Sequence, residues 1–503
     1  MQDKLARWSS TDKERRFDRL LRLIANGNWL HEAARITLAS RGAKTAGVDG
    51  KCRIDLQNIL QKEINCIQKI LLDGSYSPSP AKRVYIPKAN GKQRPLGIPT
   101  LRDRIVQRAI LMVMEPIWES NFNKASYGFR PEKSVHHAIR TVRSQLQDKA
   151  YPAGRWVIEG DLASYFDTVH HKLLMKYIRK RIRDKRFLTL IWKLLKAGHI
   201  DKGLFYAANK GVPQGGVISP LLSNIMLHEF DQYLERKYLA HKVKRHREVW
   251  NRSVKDQIPI AVRQNRQRMP TVSYCRYADD FVIVVSGKKG HAQSIREECR
   301  NFLENKLKLT LNMDKTHITH VDDGFVFLGH RIIRKRGSRN KMHTVTTIPK
   351  GKFKNFISKI VIELSSNHDR SAIEMINWIN RKLVGWANFY RHTDYTATMF
   401  GKADGIIFWK LGHWLAKKYR TSIKKIMIKW FCSPGNGKAK TWRIFRKSRN
   451  GKVNCVSLRR LVTSMKMQFR YRSPETNPYI IREENRKSIS SRYRDVAMAM
   501  SHF

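Results

Sequence analysis

Apolar side chains change their spacing along the chain, and the change separates helical from strand-like segments. In the first 75 residues they recur at the helical period, in one stripe from Phe17 to Ile24 and another from Leu56 to Leu71. Residues 350 to 430 return to that period, most clearly from Ile376 to Tyr390. Aromatic and β-branched residues dominate several segments in between. The pattern predicts an α+β protein with helical regions on both sides of a sheet-containing region.

Two β-hairpins are predicted in the middle of the chain. Residues 83–88 and 93–99 flank Asn90-Gly91, a strong signal for a tight hairpin turn. Residues 273–277 and 281–285 flank a second tight connection. The strands of the first hairpin are basic, which is typical of a solvated face but also suits a flap that grips phosphates, since the planar fork of Arg matches them.

Three aspartates lie at the ends of predicted strands, two in the second hairpin and one after a further strand. Asp279 and Asp280 occupy the connection of the second hairpin, and Asp161 ends the strand that begins at Arg155. Aspartate is common in solvated turns, so the adjacent pair alone would carry little weight. A carboxylate buried at a strand end, however, must be hydrogen-bonded, paired or metal-bound. If the two elements are neighbours in one sheet, we expect Asp161 and Asp279 to converge at its edge.

Charge is the dominant feature of the composition. The 503 residues include 99 Lys and Arg against 41 Asp and Glu, a net charge of +58, and such self-repulsion indicates a polyanionic partner. No apolar run approaches the roughly 20 residues that a membrane span needs. Six cysteines without metal-ligand spacing argue against a zinc module and a disulfide framework. We expect a protein of the reducing cytoplasm, associated with the nucleoid, with no signal or transit peptide and no membrane partner.

Two segments have a large excess of basic over acidic residues. Between Arg236 and Arg268 there are eleven Lys and Arg and only two acids, which we interpret as an insertion in the sheet region. From Gly405 to Pro474 there is no Asp or Glu at all, and aromatic residues alternate with the basic ones. Such a stretch cannot balance its charges internally, so it predicts a surface that binds nucleic acid.

These features together predict nucleotidyl transfer. Mg²⁺ prefers oxygen ligands and commonly takes one or two carboxylates plus substrate phosphates. Two such ions about 3.5–4 Å apart activate an attacking hydroxyl and stabilise the leaving group of an in-line displacement. The loop around Gly215-Gly216 adds a place where backbone approaches a ligand closely, because glycine has no Cβ.

Seven sequence blocks, in order, resemble those of the group II intron-encoded reverse transcriptases. Any one of them is a weak signal, but their order is specific, and the resemblance covers about residues 30 to 430. The blocks are Ile86-Pro87-Lys88, Arg94-Pro95-Leu96-Gly97-Ile98-Pro99, Tyr127-Gly128-Phe129-Arg130-Pro131, Asp161 with Tyr165-Phe166-Asp167, Pro213-Gln214-Gly215-Gly216, Tyr277-Ala278-Asp279-Asp280 and Phe327-Leu328-Gly329.

The resemblance implies a right-hand polymerase followed by a helical thumb, the X or maturase domain. We expect an N-terminal helical extension that binds RNA over residues 1–80, fingers and an antiparallel palm over 81–335, and the thumb over 336–430. Residues 431–503 would form a basic DNA-binding region. An HNH endonuclease follows the thumb in many members, but with only Cys432 and Cys455 in this tail we recognise none.

The resemblance also implies roles for single residues. Asp161 and Asp279 would ligate two Mg²⁺ ions, and Asp280 would complete the acidic site. Lys88 and Arg94 would hold the incoming triphosphate. Phe166 would act as a steric gate against a 2′ hydroxyl on the nucleotide sugar. Gln214 and Gly215 would lie along the nascent base pair and the primer.

The implied function is an RNA-directed DNA polymerase that binds its own group II intron RNA, promotes its splicing, and copies it after insertion into a DNA target. The expected partners are the intron RNA, target and primer DNA, and dNTPs, while the oligomeric state stays open. Two alternatives also stay open: a splicing factor whose polymerase fold is only a scaffold, and a relative domesticated for defence or repair.

Overall fold

The computed structural model describes ten stretches of the chain, and backbone contacts divide the protein into two compact units. The described residues are 1–87, 91, 93–146, 155–239, 271–337, 342–435, 439–447, 453–463, 469 and 477–480. Unit 1 contains Met1–Thr141, Tyr151–Ile318 and Arg472–Phe503. Unit 2 contains Val142–Ala150 and Thr319–Tyr471. Lys88 and most of the basic segment 236–268 lie outside the described residues.

Helices make up most of residues 1–75 and 350–430, as the apolar periodicity predicts, and others lie between these regions. They are α1 Gln2–Thr11, α2 Leu20–Ile24, α3 Gly27–Ala39, α4 Arg53–Gln57, α5 Leu60–Asp73, α6 Leu101–Glu119, α7 Val135–Leu146, α8 Tyr165–Thr168, α9 His171–Arg179, α10 Lys185–Lys196, α11 Ser219–Leu234, α12 Lys289–Phe302, α13 Lys350–Ser366, α14 Ala372–Tyr390, α15 Thr396–Lys418 and α16 Ile423–Trp430.

In the part of the chain that the structure describes, the strands form four small sheets. They are β1 Ala81–Pro87, β2 Gln93–Ile98, β3 Arg155–Gly160, β4 His199–Asp201, β5 Leu204–Tyr206, β6 Thr271–Tyr277, β7 Asp280–Ser286, β8 His317–His320, β9 Phe325–Phe327, β10 His330–Arg336, β11 Met342–Thr347, β12 Phe431–Cys432, β13 Thr441–Lys447 and β14 Val453–Ser457. The sheet orders are β2-β1-β4-β5, β6-β7-β3-β8, β11-β10-β9 and β12-β13-β14. The mixed α+β class expected from the sequence is confirmed.

Both predicted hairpins are present. Strands β1 and β2 pair in antiparallel fashion from Lys82 opposite Ile98 to Pro87 opposite Gln93. Strands β6 and β7 pair from Thr271 opposite Ser286 to Tyr277 opposite Asp280. The β7 strand is buried from Phe281 to Val285 and has a neighbour on each side, which explains its continuous apolar run.

Helix α6 is the central element of the unit 1 core. Sixteen of its nineteen residues are buried, and the long helices α1 and α3 pack against it. Its N-terminus is capped by Thr100, whose hydroxyl accepts the amide of Asp103 at 3.2 Å. The first predicted helical stripe is shorter than expected, because Arg19 takes a left-handed conformation and α2 begins only at Leu20. Phe17 instead pairs with Ile182 as an isolated bridge.

Unit 2 packs the helices α13 to α16 with the sheet β12-β13-β14. Trp442 of β13 is fully buried against α15, where its indole nitrogen donates to the carbonyl of Phe408 at 2.8 Å. A Cβ at Gly412 would lie 2.6 Å from the Trp442 ring, so glycine allows this contact. The chain passes from unit 1 to unit 2 after Ile318 and returns to unit 1 after Tyr471, while the functional boundaries at residues 335 and 430 stay predictions. Among the described helices, none is long and apolar enough to cross a membrane.

Candidate active site

The β6–β7 hairpin carries two of the three predicted acids. Tyr277 and Asp280 form the last pair of the ladder, so Ala278 and Asp279 are the two residues of the turn. Ala278 has φ +58, a left-handed conformation that only a minority of non-glycine residues adopt. The turn presents Asp279 and Asp280 at the end of an apolar sheet, where the side chain of Asp280 is accessible to solvent.

Strand β3 brings the third acid to the same end of the sheet. It pairs with β7 in antiparallel register, ending with Gly160 opposite Phe281. The next position on each strand is Asp161 and Asp280, so these two residues face each other just beyond the ladder. A Cβ on Gly160 would lie 2.1 Å from the Phe281 ring, so the ring can pack against β3 only because residue 160 is glycine. The predicted convergence of the acids at one sheet edge is therefore present in this fold.

The three acids interact through their charges. Removal of water by the surrounding protein raises the pKa of Asp279, and the charge of Asp161 adds to the effect, while Arg94 and Arg276 oppose it. The pKa of Asp280 rises to about 6, because packing around its carboxyl group disfavours the charged form and Asp279 and Asp161 are like charges close by. The concentrated negative charge is what a bound cation would neutralise.

Lys315 is part of this site, although its role was not predicted. Its ammonium group donates to a carboxylate oxygen of Asp161 at 2.7 Å. It lies in the turn after Asn312, whose amide donates to the Asp161 carbonyl at 2.9 Å, so the two segments are held side by side. Asp161 and Lys315 are 154 positions apart, and no local pattern signals the pairing.

The donor set fits Mg²⁺. In the stretches that the structure describes, no three His, Cys, Asp or Glu side chains form a compact metal-binding group. The three aspartates nevertheless offer hard carboxylate oxygens. Shielding from water, and then the charges of Asp279 and Asp161, raise the pKa of Asp280, and a divalent cation would offset that repulsion. A cation there would compete with Lys315 for the Asp161 carboxylate.

The loop that contains Gln214 connects the first hairpin to the segment after Asp161. The Gln214 carbonyl accepts the amide of Gly97 in β2 at 2.7 Å, and its side chain donates to Asp167 at 3.4 Å. Gly215 has φ +112, and a Cβ there would lie 2.6 Å from the Gly97 carbonyl, so only glycine fits. These contacts place Gln214 and Gly215 between β2 and α8.

Phe166 belongs to the same group of residues. Its carbonyl accepts the amide of Val212 at 2.7 Å, which ties α8 to the loop. Its half-buried ring packs on the unit 1 core and meets the ring of Phe129 edge-on at 6.2 Å between centroids. Of the predicted site residues, Lys88 alone lies outside the described part of the chain.

Comparison with known proteins identifies the family. Residues 86–332 match the family model for reverse transcriptase (RNA-dependent DNA polymerase). Residues 352–431 match the group II intron, maturase-specific domain. The group II intron-encoded protein LtrA of Lactococcus lactis is 32% identical over 452 residues, which cover 77% of this chain and 73% of that protein. The chain belongs to the group II intron-encoded reverse transcriptases.

Two further proteins, from Escherichia coli and Arabidopsis thaliana, are also similar to this reverse transcriptase. Protein YkfC of Escherichia coli is 63% identical over 360 residues, covering 72% of this chain and 94% of that protein. Nuclear intron maturase 1 of Arabidopsis thaliana mitochondria is 26% identical over 299 residues, or 47% of this chain and 41% of that protein. The family domains identify the chain as an RNA-directed DNA polymerase with a second role in group II intron splicing.

Proposed function

We propose that Asp161 and Asp279 ligate two Mg²⁺ ions and that Asp280 completes the acidic site of this polymerase. The observation that carries the proposal is the register of the sheet, which sets Asp161 opposite Asp280 at the end of the hairpin that holds Asp279. The raised pKa of Asp280 supports it, since its carboxyl group is shielded from water and lies close to the like charges of Asp279 and Asp161, which the nearby charge of Lys315 only partly offsets.

The metal ions would supply activation of the primer 3′ hydroxyl and stabilisation of the leaving pyrophosphate. The chain's own residues bind and orient the substrates. Arg94, which acts on Asp279 through its charge, and Lys88 would hold the triphosphate of the incoming dNTP. The Phe166 ring would exclude a 2′ hydroxyl, and Gln214 with Gly215 would line the nascent base pair and the primer.

The parts of a right-hand polymerase can be assigned to the described elements. The sheet β6-β7-β3-β8 would be the palm and the sheet β2-β1-β4-β5 would belong to the fingers, so that fingers and palm span residues 81–335. The helices α13 to α16 would be the thumb and maturase domain, within residues 336–430. Residues 1–80 would bind RNA, and residues 431–503 would bind DNA.

The net charge of +58 supports an extended nucleic-acid surface beyond the polymerase site. We propose that the protein binds the group II intron RNA that encodes it, assists its folding for splicing, and then copies it from a primer at the DNA target. Such target-primed reverse transcription would give retrohoming, with the intron RNA, target DNA and dNTPs as partners.

Primer extension on an RNA template tests the polymerase site directly. The D279A/D280A double variant should lose at least about 10³-fold in Mg²⁺-dependent extension, because the metals lose most of their ligands. A matched control is D322A/D323A, a second pair of adjacent aspartates, in the loop after β8; Asp322 makes an ion pair with Arg334 there. The control should extend normally. Normal extension by D279A/D280A would refute the site.

Splicing by the same variants separates the possible roles. If the RNA-binding surfaces act independently of the acids, D279A/D280A should splice the cognate intron at close to the wild-type rate. Failure of splicing to the same degree as extension would show that the two activities are not separable. A protein that splices but never extends a primer would be a splicing factor on a polymerase scaffold. The absence of a group II ribozyme in the DNA flanking the gene would favour a domesticated role.

A further inference from the structure

A fully buried ion pair lies next to the turn formed by Ala278 and Asp279, which we call the catalytic turn because it carries the proposed metal ligand Asp279. Arg276, three residues before Asp279, is 1% exposed, and its partner Asp231 on α11 is 0% exposed. The guanidinium donates from Nε at 2.8 Å and from Nη2 at 2.6 Å to the two oxygens of the Asp231 carboxylate. The hydroxyl of Tyr274 donates to the same carboxylate at 2.7 Å. This bidentate geometry fixes the plane of the guanidinium.

The remaining guanidinium nitrogen points at the turn. Arg276 Nη1 donates to the carbonyl of Ala278 at 2.9 Å and to the side-chain oxygen of Asn224 at 3.0 Å. Ala278 is the residue of the turn with φ +58, and its carbonyl carbon is bonded to the amide of Asp279. The Asp231–Arg276 pair is therefore hydrogen-bonded to the peptide group that leads into the proposed metal ligand.

Asn224 extends the network to the other side of the turn. Its side-chain amide donates to the carbonyl of Gly128 at 2.8 Å. Gly128 lies against the turn so closely that a Cβ there would be 2.2 Å from the Ala278 nitrogen. The backbone of the same loop pairs with Arg276, with Tyr127 donating to its carbonyl at 2.9 Å. One asparagine thus joins the guanidinium to the segment that packs under Ala278.

We propose that Arg276 is a positioning residue for the polymerase reaction, and that Asp231 and Asn224 hold it in place. By donating to the Ala278 carbonyl, Arg276 maintains the left-handed conformation of the turn and so sets the direction of the Asp279 carboxylate. The proposal rests on the assignment of Asp279 as a metal ligand.

The conformation of the turn explains why such a device is needed. A left-handed alanine is strained, and it persists only where its surroundings impose it. Mg²⁺ demands nearly ideal octahedral geometry, so a small rotation of one ligand weakens binding. A buried ion pair with only a structural role could sit anywhere in the core. Here, by contrast, Arg276 Nη1 donates to the carbonyl of Ala278, in the strained peptide next to Asp279.

The R276K substitution tests the proposal. Lysine keeps a positive charge for Asp231, but its single ammonium cannot reproduce the fork that also reaches Asn224 and Ala278. We expect extension to fall about 10²-fold, the Mg²⁺ concentration for half-maximal rate to rise, and the affinity for primer–template to stay unchanged. Mg²⁺ dependence is a readout that loss of fold stability alone would not move.

R181K is the matched control for this experiment. Arg181 is also buried and uses its guanidinium to hold other segments, donating to Ser9 at 2.7 Å and to the carbonyl of Arg15 at 3.0 Å. None of the hydrogen-bond partners described for Arg181 belongs to the catalytic turn. R181K should therefore lose thermal stability but keep the wild-type Mg²⁺ dependence. An R276K protein with the rate and Mg²⁺ dependence of R181K would overturn the proposal.

Two further variants keep the proposal testable if R276K folds poorly. N224A removes one acceptor of Arg276, on helix α11 rather than on β6, and should lower extension about 10-fold with the same rise in Mg²⁺ requirement.

The A278G substitution should reduce the effect of a weakened network, because glycine adopts this φ without strain. The fall caused by N224A should be at least about 3-fold smaller in the A278G background. Equal falls in both backgrounds would contradict the proposal. If the wild-type protein does not extend primers, the proposed function fails instead.

Discussion

Asp280 is an acid whose ionisation the folded protein opposes. Its pKa in the folded, metal-free chain is about 6 against 3.8 for a free side chain, so between these values the folded state holds a proton that the unfolded state has lost. The free energy of unfolding must therefore fall as the pH rises through this range. This loss of stability arises at the acidic site, because the packing around the Asp280 carboxyl group and the charges of Asp279 and Asp161 raise its pKa.

The D280N variant should remove this pH dependence. In EDTA at pH 7.5 or so it should melt at a higher temperature than the wild-type protein, and the difference should shrink towards pH 4, where Asp280 is protonated anyway. Thermal melting across this pH series measures it. D323N, which changes an exposed acid outside the site, should follow the wild-type curve. A D280N curve that also follows the wild type would mean that the carboxylates do not repel each other in solution.

At the scale of elements, the hairpin depends on the loop that packs against it. Gly128 meets the backbone of the turn, with a virtual Cβ 2.2 Å from the Ala278 nitrogen and 2.8 Å from the Tyr277 carbonyl carbon. Neither atom belongs to a flexible side chain, so the loop and the hairpin would have to separate. We therefore infer that the close contact at Gly128 fixes the distance between residues 125–128 and the end of β6.

The G128A variant should destabilise unit 1 by about 1–3 kcal/mol and displace the catalytic turn. Extension should fall by more than the loss of folded protein explains. The measurement is the extension rate per folded molecule, with folding followed by circular dichroism. G290A is the control in the same unit, because nothing lies within 4 Å of its added methyl group. Equal extension rates for the two variants would show that the tight contact does not control the turn.

Whether a feature could be predicted depends on how far apart in the sequence the interacting residues lie. The two hairpins and the helix α14 were predictable, since turn residues and apolar period are local signals. The three acids could be proposed because the sequence blocks resemble a known family. Arg276 and Asp231 could not be paired in advance, because 45 positions separate them and only the fold brings them together. The same holds for Lys315 and Asp161.

At the scale of the whole molecule, the chain returns to its first unit near its end. Asn477 donates to the hydroxyl of Ser120 at 2.8 Å, and the hydroxyl of Tyr479 donates to the carboxylate of Glu115. Burial raises the pKa of Glu115, and the Tyr479 bond opposes that shift by favouring the charged carboxylate. Because α6 is the central helix of unit 1, the segment 477–480 packs as part of that unit.

The Y479F variant should loosen this connection without changing the shape of the ring. Loss of the hydroxyl leaves the partly buried Glu115 carboxylate without its tyrosine donor, at a cost of about 1–2 kcal/mol. Because the contact is local, hydrogen exchange of peptides covering residues 110–120 reports on it more directly than melting of the whole chain does. Exchange there should be about 10-fold faster. Y395F, at a tyrosine that is 58% exposed, should leave it unchanged. Unaltered exchange in Y479F would mean that the segment is not held on α6 in solution.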